Sequence, residues 1–161
     1  MRLSRPTPSE LLELRSIASL QFRGVGDHFI PDNILVQRSP STYRIRIIYL
    51  DNKPLASLRA ADYRLLLKMY GGVRLRKILS FPLLRVIVSN KYSNFIAEGG
   101  NVFAAHIVYA DPEIRPYDEV IVVNEDDEAI AVGRALLPGY IMSFFSRGEA
   151  VRVREGIREL V

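Results

Sequence analysis

The sequence contains no cysteine, and only two of its 161 residues are histidine. The absence of cysteine excludes disulfide bonds, thiolate metal sites and a cysteine nucleophile. His28 and His106 lie far apart in the sequence, so a zinc site within this chain is not expected. We therefore predict no metal and no other cofactor.

Long hydrophobic runs are also missing. No stretch approaches the roughly 20 consecutive apolar residues that a membrane-spanning helix needs. The N-terminal segment carries Arg2 and Arg5, followed by Glu10 and Glu13, and so lacks the apolar core of a secretory signal. We expect a cytoplasmic protein with no membrane partner. Because 48% of the residues are hydrophobic, the chain can fill the core of one domain or of two small ones.

Lysine is scarce, since it supplies only 4 of the 22 basic residues. Arginine supplies the rest, and its planar guanidinium group suits phosphate. Residues 1–84 hold 14 basic and 6 acidic residues, whereas residues 85–161 hold 8 basic and 12 acidic residues. The net charges are therefore +8 and −4, so the first half is predicted to attract phosphate groups.

A domain border is predicted at Pro82, because proline cannot continue a helix and disfavours helix in the preceding residue. We expect a basic domain over residues 1–82 and a second domain over residues 83–161. In the first domain, Thr7, Pro8 and Glu10 form a capping-box pattern that predicts a helix over residues 8–22. Strands are expected at 35–38, 43–50, 54–58 and 64–69, and a basic helix at 72–79.

The second half alternates short strand patterns with turn signals. Strands are expected at 84–88, 102–109, 119–124, 129–137 and 150–154, with short helices at 91–98 and after Pro138. This spacing is typical of a small β-barrel. The predicted fold class is therefore α+β, with a helix packed on an antiparallel sheet followed by a small barrel. No internal repeat is visible.

Three segments of the second half follow one another in a recognisable order: residues 99–104 (GGNVFA), 111–120 (DPEIRPYDEV) and 131–135 (AVGRA). This order resembles a PUA domain, a small RNA-binding barrel. The glycine pair makes physical sense there, because a backbone without Cβ atoms can approach a ligand closely. The resemblance implies that the bend lines an RNA groove, with Gly99, Gly100, Asn101, Val102 and Phe103 as its residues.

Three basic residues are expected to border the same groove: Arg134, Lys91 and Arg85. Each assignment has a structural alternative. The bend can be an ordinary tight turn with the Phe103 ring packed in the core, and Arg134 can be a solvated strand residue. His106 falls in an apolar strand pattern, so we interpret it as a packed barrel residue and not as a ligand.

The first half shows a second resemblance, carried by residues 12–18 (LELRSIA), 24–26 (GVG), 44–46 (RIR), 49–51 (YLD) and 57–59 (SLR). These resemble the domain that precedes PUA in archaeal tRNA-guanine transglycosylase, and residues 124–127 (NEDD) and 133–137 (GRALL) also resemble that family. The catalytic barrel of that enzyme, with its nucleophilic aspartate and its zinc, has no counterpart in this sequence. The tail of archaeosine synthase is similar as well.

The resemblance implies a non-catalytic RNA-binding protein that docks tRNA. Two other hypotheses remain. In one, the chain is the non-catalytic subunit of a split transglycosylase or archaeosine-forming enzyme. In the other, it acts in ribosome biogenesis or translation. No catalytic residue is predicted, because Asp27 and His28 have no serine or cysteine nucleophile to pair with in any motif.

The densest basic cluster of the sequence is Arg74, Arg76 and Lys77, with Arg64 and Lys68 just before it. Such a cluster binds RNA by neutralising phosphates, although a charge run is often only a solvated face. The acidic run at residues 125–128 is expected to form a hairpin turn rather than a metal site.

Overall fold

Helix α1 (Pro8–Gln21) begins at the capping box that the sequence predicts. The Thr7 hydroxyl accepts a hydrogen bond from Glu10 N at 3.1 Å, and the Glu10 carboxylate accepts one from Thr7 N at 2.9 Å. Leu14, Ala18 and the following Phe22 are buried along one face of the helix. The computed structural model, which describes residues 2–160, divides into two compact units between Ile78 and Leu79.

The first unit is built on an antiparallel sheet with the strand order β1-β2-β3-β4-β5. The strands are β1 (Leu3–Ser4), β2 (Leu35–Arg38), β3 (Ile45–Leu50), β4 (Lys53–Leu58) and β5 (Leu65–Leu67), and the helices after α1 are α2 (Gly26–Phe29) and α3 (Met69–Ile78). The four predicted strands are confirmed, and β2 is confirmed to the residue. Strand β1 and helix α2 were not predicted, because both are too short to show a periodic pattern.

A glutamine closes one edge of this sheet. The Gln21 amide donates to the Leu65 carbonyl at 3.0 Å, and its oxygen accepts from Leu65 N at 2.6 Å. A side chain of helix α1 therefore takes the place of a further strand beside β5, whose backbone groups would otherwise be unpaired.

The basic helix predicted from residue 72 begins earlier, at Met69. Gly71 and Gly72 lie inside α3, although paired glycines usually weaken a helix. The reason is packing: a Cβ atom at Gly71 would collide with the Leu55 carbonyl of strand β4. Glycine therefore allows the helix to lie directly against the backbone of the sheet.

The second unit contains a six-stranded sheet with the order β7-β11-β10-β9-β6-β8. Its strands are β6 (Arg85–Val88), β7 (Val102–Phe103), β8 (Ile107–Ala110), β9 (Glu119–Val123), β10 (Ala129–Ala135) and β11 (Glu149–Gly156). Its helices are α4 (Ser93–Ala97) and α5 (Gly139–Met142), with 3₁₀ turns at Asn90–Tyr92, Ala104–His106 and Ile157–Leu160. Strands β6 and β9 pair in parallel, and the other neighbours are antiparallel.

The two edge strands of this sheet, β7 and β8, are consecutive in the chain. Only the 3₁₀ turn Ala104–His106 separates them, so the two edges must come together and the sheet curls into a nearly closed barrel. The fold class predicted from the sequence is thereby confirmed. The single strand predicted over residues 102–109 is wrong in one respect, because the turn divides it between the two edges.

None of the helices between residues 2 and 160 is both long enough and apolar enough to span a membrane.

The Glu10 carboxylate generates a prediction about the stability of the first unit. It pairs with both terminal nitrogens of Arg38, at 2.7 and 2.6 Å, and this hydrogen bonding lowers the pKa of Glu10 from 4.5 to about 2. A depressed carboxylate pKa stabilises the fold above pH 4.5, and this stabilisation is lost as the pH falls towards 2.

We expect Glu10→Gln to lower the free energy of unfolding at neutral pH by about 1–2 kcal/mol, since a charged partner of Arg38 becomes neutral. Urea unfolding followed by circular dichroism measures the change. Glu13→Gln is the matched control, because Glu13 is exposed and should change stability by less than about 0.5 kcal/mol. Equal losses in the two variants would contradict a stabilising role for the Glu10 pair.

Candidate nucleic-acid interface

The predicted groove segment, Gly99–Phe103, is the bend between helix α4 and strand β7. Gly99 has a φ of +109°, a conformation that favours glycine, and its amide donates to the Ile96 carbonyl at 2.9 Å. A Cβ atom at Gly99 would lie 2.7 Å from a carboxylate oxygen of Glu159. Glycine therefore ends α4 and lets the last turn of the chain approach the bend.

Two side chains of the bend hold it against the barrel. The Asn101 Oδ1 atom accepts a hydrogen bond from Val153 N of strand β11 at 2.9 Å, and Val102 is fully buried. Both side chains are therefore engaged within the domain and are not available to an RNA partner.

Gly99 and Gly100 are half-buried, and the space that a Cβ atom would occupy is filled by Glu159 at Gly99 and by the Phe95 ring at Gly100. The side chain of the bend that a partner can reach is therefore the ring of Phe103, which is 39% exposed.

Phe103 belongs to an aromatic cluster that we define as Tyr92, Phe95, Phe103 and His106. The Tyr92 and His106 rings stack with centroids 4.2 Å apart, while Phe95 and Phe103 meet His106 edge-on at 6.3 and 5.6 Å. Phe95 is 52% exposed. The cluster thus offers partly exposed ring faces and edges beside the glycine bend.

The sequence did not predict this cluster, although a signal for part of it exists. Tyr92 and Phe95 are three residues apart in the predicted helix 91–98, and such positions lie on one helical face. Lys91 precedes them, is exposed, and holds its Nζ atom 5.8 Å from the centre of the Tyr92 ring. The structure therefore brings Lys91 together with the aromatic cluster.

His106 occupies the 3₁₀ turn between the two edge strands and not the interior of a strand. Its Nδ1 atom accepts a hydrogen bond from Phe103 N at 3.2 Å, which requires that nitrogen to be unprotonated. Burial lowers the pKa of His106 below its usual 6.5. The neutral imidazole thus connects the centre of the aromatic cluster to the backbone of β7.

Arg134 lies on β10, the second strand from β7 across the sheet. Its guanidinium carbon is 5.5 Å from the centre of the Tyr117 ring, which is 62% exposed. Its Nε atom is buried without a hydrogen-bond partner among the described residues. Arg152 of β11 stands directly opposite Arg134, so two arginines are neighbours on adjacent strands.

The expectation that Arg85 borders an exposed groove is corrected by the structure, because this residue is only 2% exposed. Its guanidinium pairs with both carboxylate oxygens of Asp127, at 3.1 and 3.2 Å, and donates to the Leu79 carbonyl at 2.9 Å. The strand pattern around Arg85 gives no sign of this burial, since the partner lies 42 residues away in the acidic hairpin turn. Arg85 is a structural residue.

The acidic run at residues 125–128 forms the predicted turn between β9 and β10. Besides pairing with Arg85 through Asp127, the turn holds a neighbouring loop: Asn90 N donates to the Glu125 carboxylate at 2.9 Å. Within residues 2–160, no group of three or more histidine, aspartate or glutamate side chains is arranged to hold a metal ion.

The predicted basic cluster on α3 is divided in its roles. Arg74 is half-buried and donates to the carbonyls of Phe29 and His28, at 3.1 and 2.6 Å, which fastens α3 to helix α2. Lys77 is exposed near the C-terminal end of α3, and Arg76 is half-buried. The surface available to phosphate is therefore smaller than the sequence suggests.

Residues 13–82 match the patch-forming domain C2 of tRNA-guanine transglycosylase, and residues 84–157 match the PUA domain. The chain therefore contains a transglycosylase C2 domain followed by a PUA domain. It is 38% identical over 160 residues to tRNA-guanine(15) transglycosylase of Pyrococcus furiosus, covering 98% of this chain and 27% of that enzyme. It is 49% identical over 112 residues to the enzyme of Pyrococcus abyssi, covering 70% of this chain and 19% of that enzyme.

The chain thus spans about a quarter of the length of the curated relatives that it matches. Among solved structures, a hypothetical protein from Pyrococcus horikoshii has a TM-score of 0.78 at 24% identity and covers 98% of this chain and 95% of its own. A conserved PUA domain protein from Thermoplasma acidophilum has a TM-score of 0.71 at 19% identity, with coverage of 99% and 100%. These two similarities show that the fold of this chain also occurs in other proteins.

The half-buried imidazole of His106 predicts a pH dependence for the PUA domain. Because its pKa is lower in the folded chain than in the unfolded chain, His106 stabilises the fold above pH 6.5 and loses this effect as the pH falls through the folded value. We expect the urea midpoint of the PUA domain, followed by Phe and Tyr fluorescence or NMR, to fall between about pH 7.5 and about pH 5.

His106→Phe should reduce this dependence while lowering stability at neutral pH by about 1 kcal/mol, since the acceptor for Phe103 N is lost. The matched control is His28→Gln, because His28 is exposed in the other domain. An unchanged pH dependence in His106→Phe would contradict this account of the imidazole.

Proposed function

We propose that this protein binds structured RNA, and tRNA above all, and performs no reaction of its own. The observation that carries the proposal is a single alignment that runs through both the C2 and the PUA domain and matches enzymes named tRNA-guanine(15) transglycosylase. The names of those relatives specify tRNA, and the chain corresponds to about a quarter of their length. Docking of tRNA is the function that such a segment can supply without a catalytic site.

The charge of the C2 domain supports the proposal. Residues 1–84 carry a net charge of +8, so the domain attracts a polyanion and gains free energy from the counterions that RNA releases. Exposed basic side chains include Lys77 on α3 and Arg44 and Arg46 on or beside β3. We assign these residues, with Arg76, to phosphate contact.

The PUA domain supports the proposal by a different means. Its net charge is −4, so attraction at a distance is weak and recognition must come from direct contact. The glycine bend with the Phe103 ring and Lys91 gives such a contact surface, and Arg134 beside Tyr117 is a second phosphate candidate. Arg85, Asn101 and Val102 are left out of the proposed side-chain contacts, because they are buried or already bonded within the domain.

A second proposal concerns a catalytic partner. Because the matched relatives are about four times as long as this chain, we infer that a transglycosylase-type catalytic part acts together with the C2 and PUA domains. The isolated chain should not exchange guanine in tRNA, and adding the candidate catalytic protein should restore exchange. We place the border between the two matched domains at residues 82 and 83, four residues after the division between the compact units, and we place the protein in the cytoplasm.

The first prediction from this function is that the chain binds tRNA with an affinity that falls steeply with salt. If about four phosphates are neutralised, affinity should fall on the order of 100-fold between about 50 and 200 mM salt. Fluorescence anisotropy with labelled tRNA measures this slope. Absence of binding at the lowest salt, or binding that does not respond to salt, would sink the proposal.

A charge-reversal variant of the exposed Lys77 tests whether α3 contributes to this salt-dependent binding. Lys77→Glu should weaken binding to different tRNAs by similar factors and reduce the salt slope by at least about one, because phosphate contacts carry no sequence information. Arg5→Glu changes the net charge by the same amount at another exposed position and is the matched control. Identical losses in the two variants would mean that only net charge matters, and that α3 makes no local contact.

The second prediction concerns the aromatic cluster. Phe103→Ala should weaken tRNA binding by about tenfold, as expected for the loss of one stacked base. Because the ring is 39% exposed, the melting temperature should change little. Phe144→Ala removes another exposed ring of the same domain, 82% exposed, and should change binding by less than about twofold. Wild-type affinity in Phe103→Ala would move the RNA contact away from the glycine bend.

A further inference from the structure

Two hairpin loops of the C2 domain have the same construction. In the loop between β2 and β3, Ser39 N donates to the Arg44 carbonyl and Tyr43 N to the Ser39 carbonyl, both at 2.8 Å. Residues 59–64, between β4 and β5, repeat this pattern at 2.9 and 2.8 Å, with Tyr63 in the place of Tyr43. The sequence hides this repeat, because the two loops share only a tyrosine followed by an arginine.

The shared tyrosine occupies a position that favours glycine. Tyr43 and Tyr63 have φ values of +61° and +57°, which is uncommon for a bulky residue. Strained backbone of this kind is concentrated at ligand sites. Both rings are exposed, by 71% and 44%. Since a glycine would fit the backbone better, the rings themselves need an explanation.

Both loops lie at the same end of the sheet. The chain turns from β2 into β3 and from β4 into β5 at this end, and the β3–β4 turn lies at the other. Because β3 and β4 are neighbours, the two loops stand side by side. A cavity of about 310 Å³ opens beside them, and its lining includes Tyr63, Arg44, Arg46, Glu10 and Glu13.

The charged groups around this cavity differ in whether they are already paired. Arg38 binds Glu10 and lies 4.9 Å from the centre of the Tyr43 ring, so one face of that ring contacts its own domain, and Tyr43 does not line the cavity. The guanidinium groups of Arg44 and Arg46, in contrast, have no hydrogen bond to any described residue of the chain. The cavity therefore combines an aromatic wall at Tyr63 with two available cations.

We propose that this cavity binds one unpaired nucleotide of an RNA, with its base against the Tyr63 ring and its phosphate on Arg44 and Arg46. The inference rests on the proposed function. Aromatic stacking accepts any base, and arginine forks suit a phosphate. The volume lies at the lower end of the roughly 300–1,000 Å³ of small-ligand sites and suits a single residue of a strand.

The Glu13 carboxylate affects which part of an RNA the cavity prefers. It has no hydrogen bond within residues 2–160 and lines the cavity on the side of helix α1. A carboxylate repels a second phosphate and accepts hydrogen bonds from the amino group of a base. The cavity therefore favours the base of a looped-out nucleotide over the backbone of a duplex.

The experiment compares the two tyrosines in the full chain. Glycine keeps the positive φ of each loop while removing the ring, so Tyr63→Gly and Tyr43→Gly form a matched pair. Binding of a fluorescein-labelled mixed-sequence RNA pentamer should weaken by about tenfold in Tyr63→Gly and by less than about twofold in Tyr43→Gly. Binding of a blunt RNA duplex should be unchanged in both. Melting curves accompany each measurement.

Arg44→Gln combined with Arg46→Gln is the second variant, and it decides the question if Tyr63→Gly fails to fold. It should weaken pentamer binding and reduce the salt slope. Pentamer binding that matches wild type in the folded variants would overturn the cavity proposal. If poly-glutamate binding depends on Tyr63 while pentamer binding does not, the occupant is an acidic protein segment and the proposal is wrong.

The two proposals can fail separately. If the wild-type chain does not bind tRNA at low salt, the proposed function itself fails. If tRNA binding is salt-dependent but photocrosslinking of 4-thiouridine-containing tRNA labels only the PUA domain, the proposed function stands and the cavity proposal is overturned. Crosslinking to residues 58–64 is the supporting outcome.

Discussion

Closure of the second sheet is the constraint on which the PUA domain depends. Strands β7 and β8 are opposite edges, yet the chain passes from one to the other in a single 3₁₀ turn, so the edges must meet. The glycine bend leads directly into this seam, and His106 sits within it. The candidate RNA surface is therefore a product of closure: a more open sheet would separate the aromatic cluster from the bend that it borders.

The arginines of the C2 domain serve two purposes that a net charge does not distinguish. Three arginines donate hydrogen bonds to carbonyl or carboxylate groups within the domain: Arg15, Arg38 and Arg74. These bonds hold helices α1 and α3 against the elements that they contact. Arg44 and Arg46 stand at the loop end of the sheet with their donors available. The arginines with donors free for RNA phosphates are thus fewer than the basic residues of the domain and more localised, which favours a particular docking orientation.

Local features could be predicted from the sequence, and features that depend on distant partners could not. The Thr7–Glu10 capping box and strand β2 follow from a few consecutive residues, and both are confirmed. The burial of Arg85 could not be predicted, because it depends on an ion pair with Asp127, which is distant in the sequence. The helical position of Gly71 could not be predicted either, because it depends on the packing of α3 against the backbone of Leu55. The paired hairpins share a hydrogen-bond pattern instead of a motif, so sequence comparison alone does not reveal them.

The last described turn, Ile157–Leu160, reaches back to the glycine bend at Gly99. Arg158 donates to Asn94 of helix α4 at 2.8 Å, and the Glu159 carboxylate accepts from Gly156 N at 2.8 Å while lying against Gly99. The shape of the bend is therefore set partly from the far end of the barrel strands. A purification tag or fluorophore attached just after this turn would alter the glycine bend without contacting it, so labels belong at the opposite end of the chain.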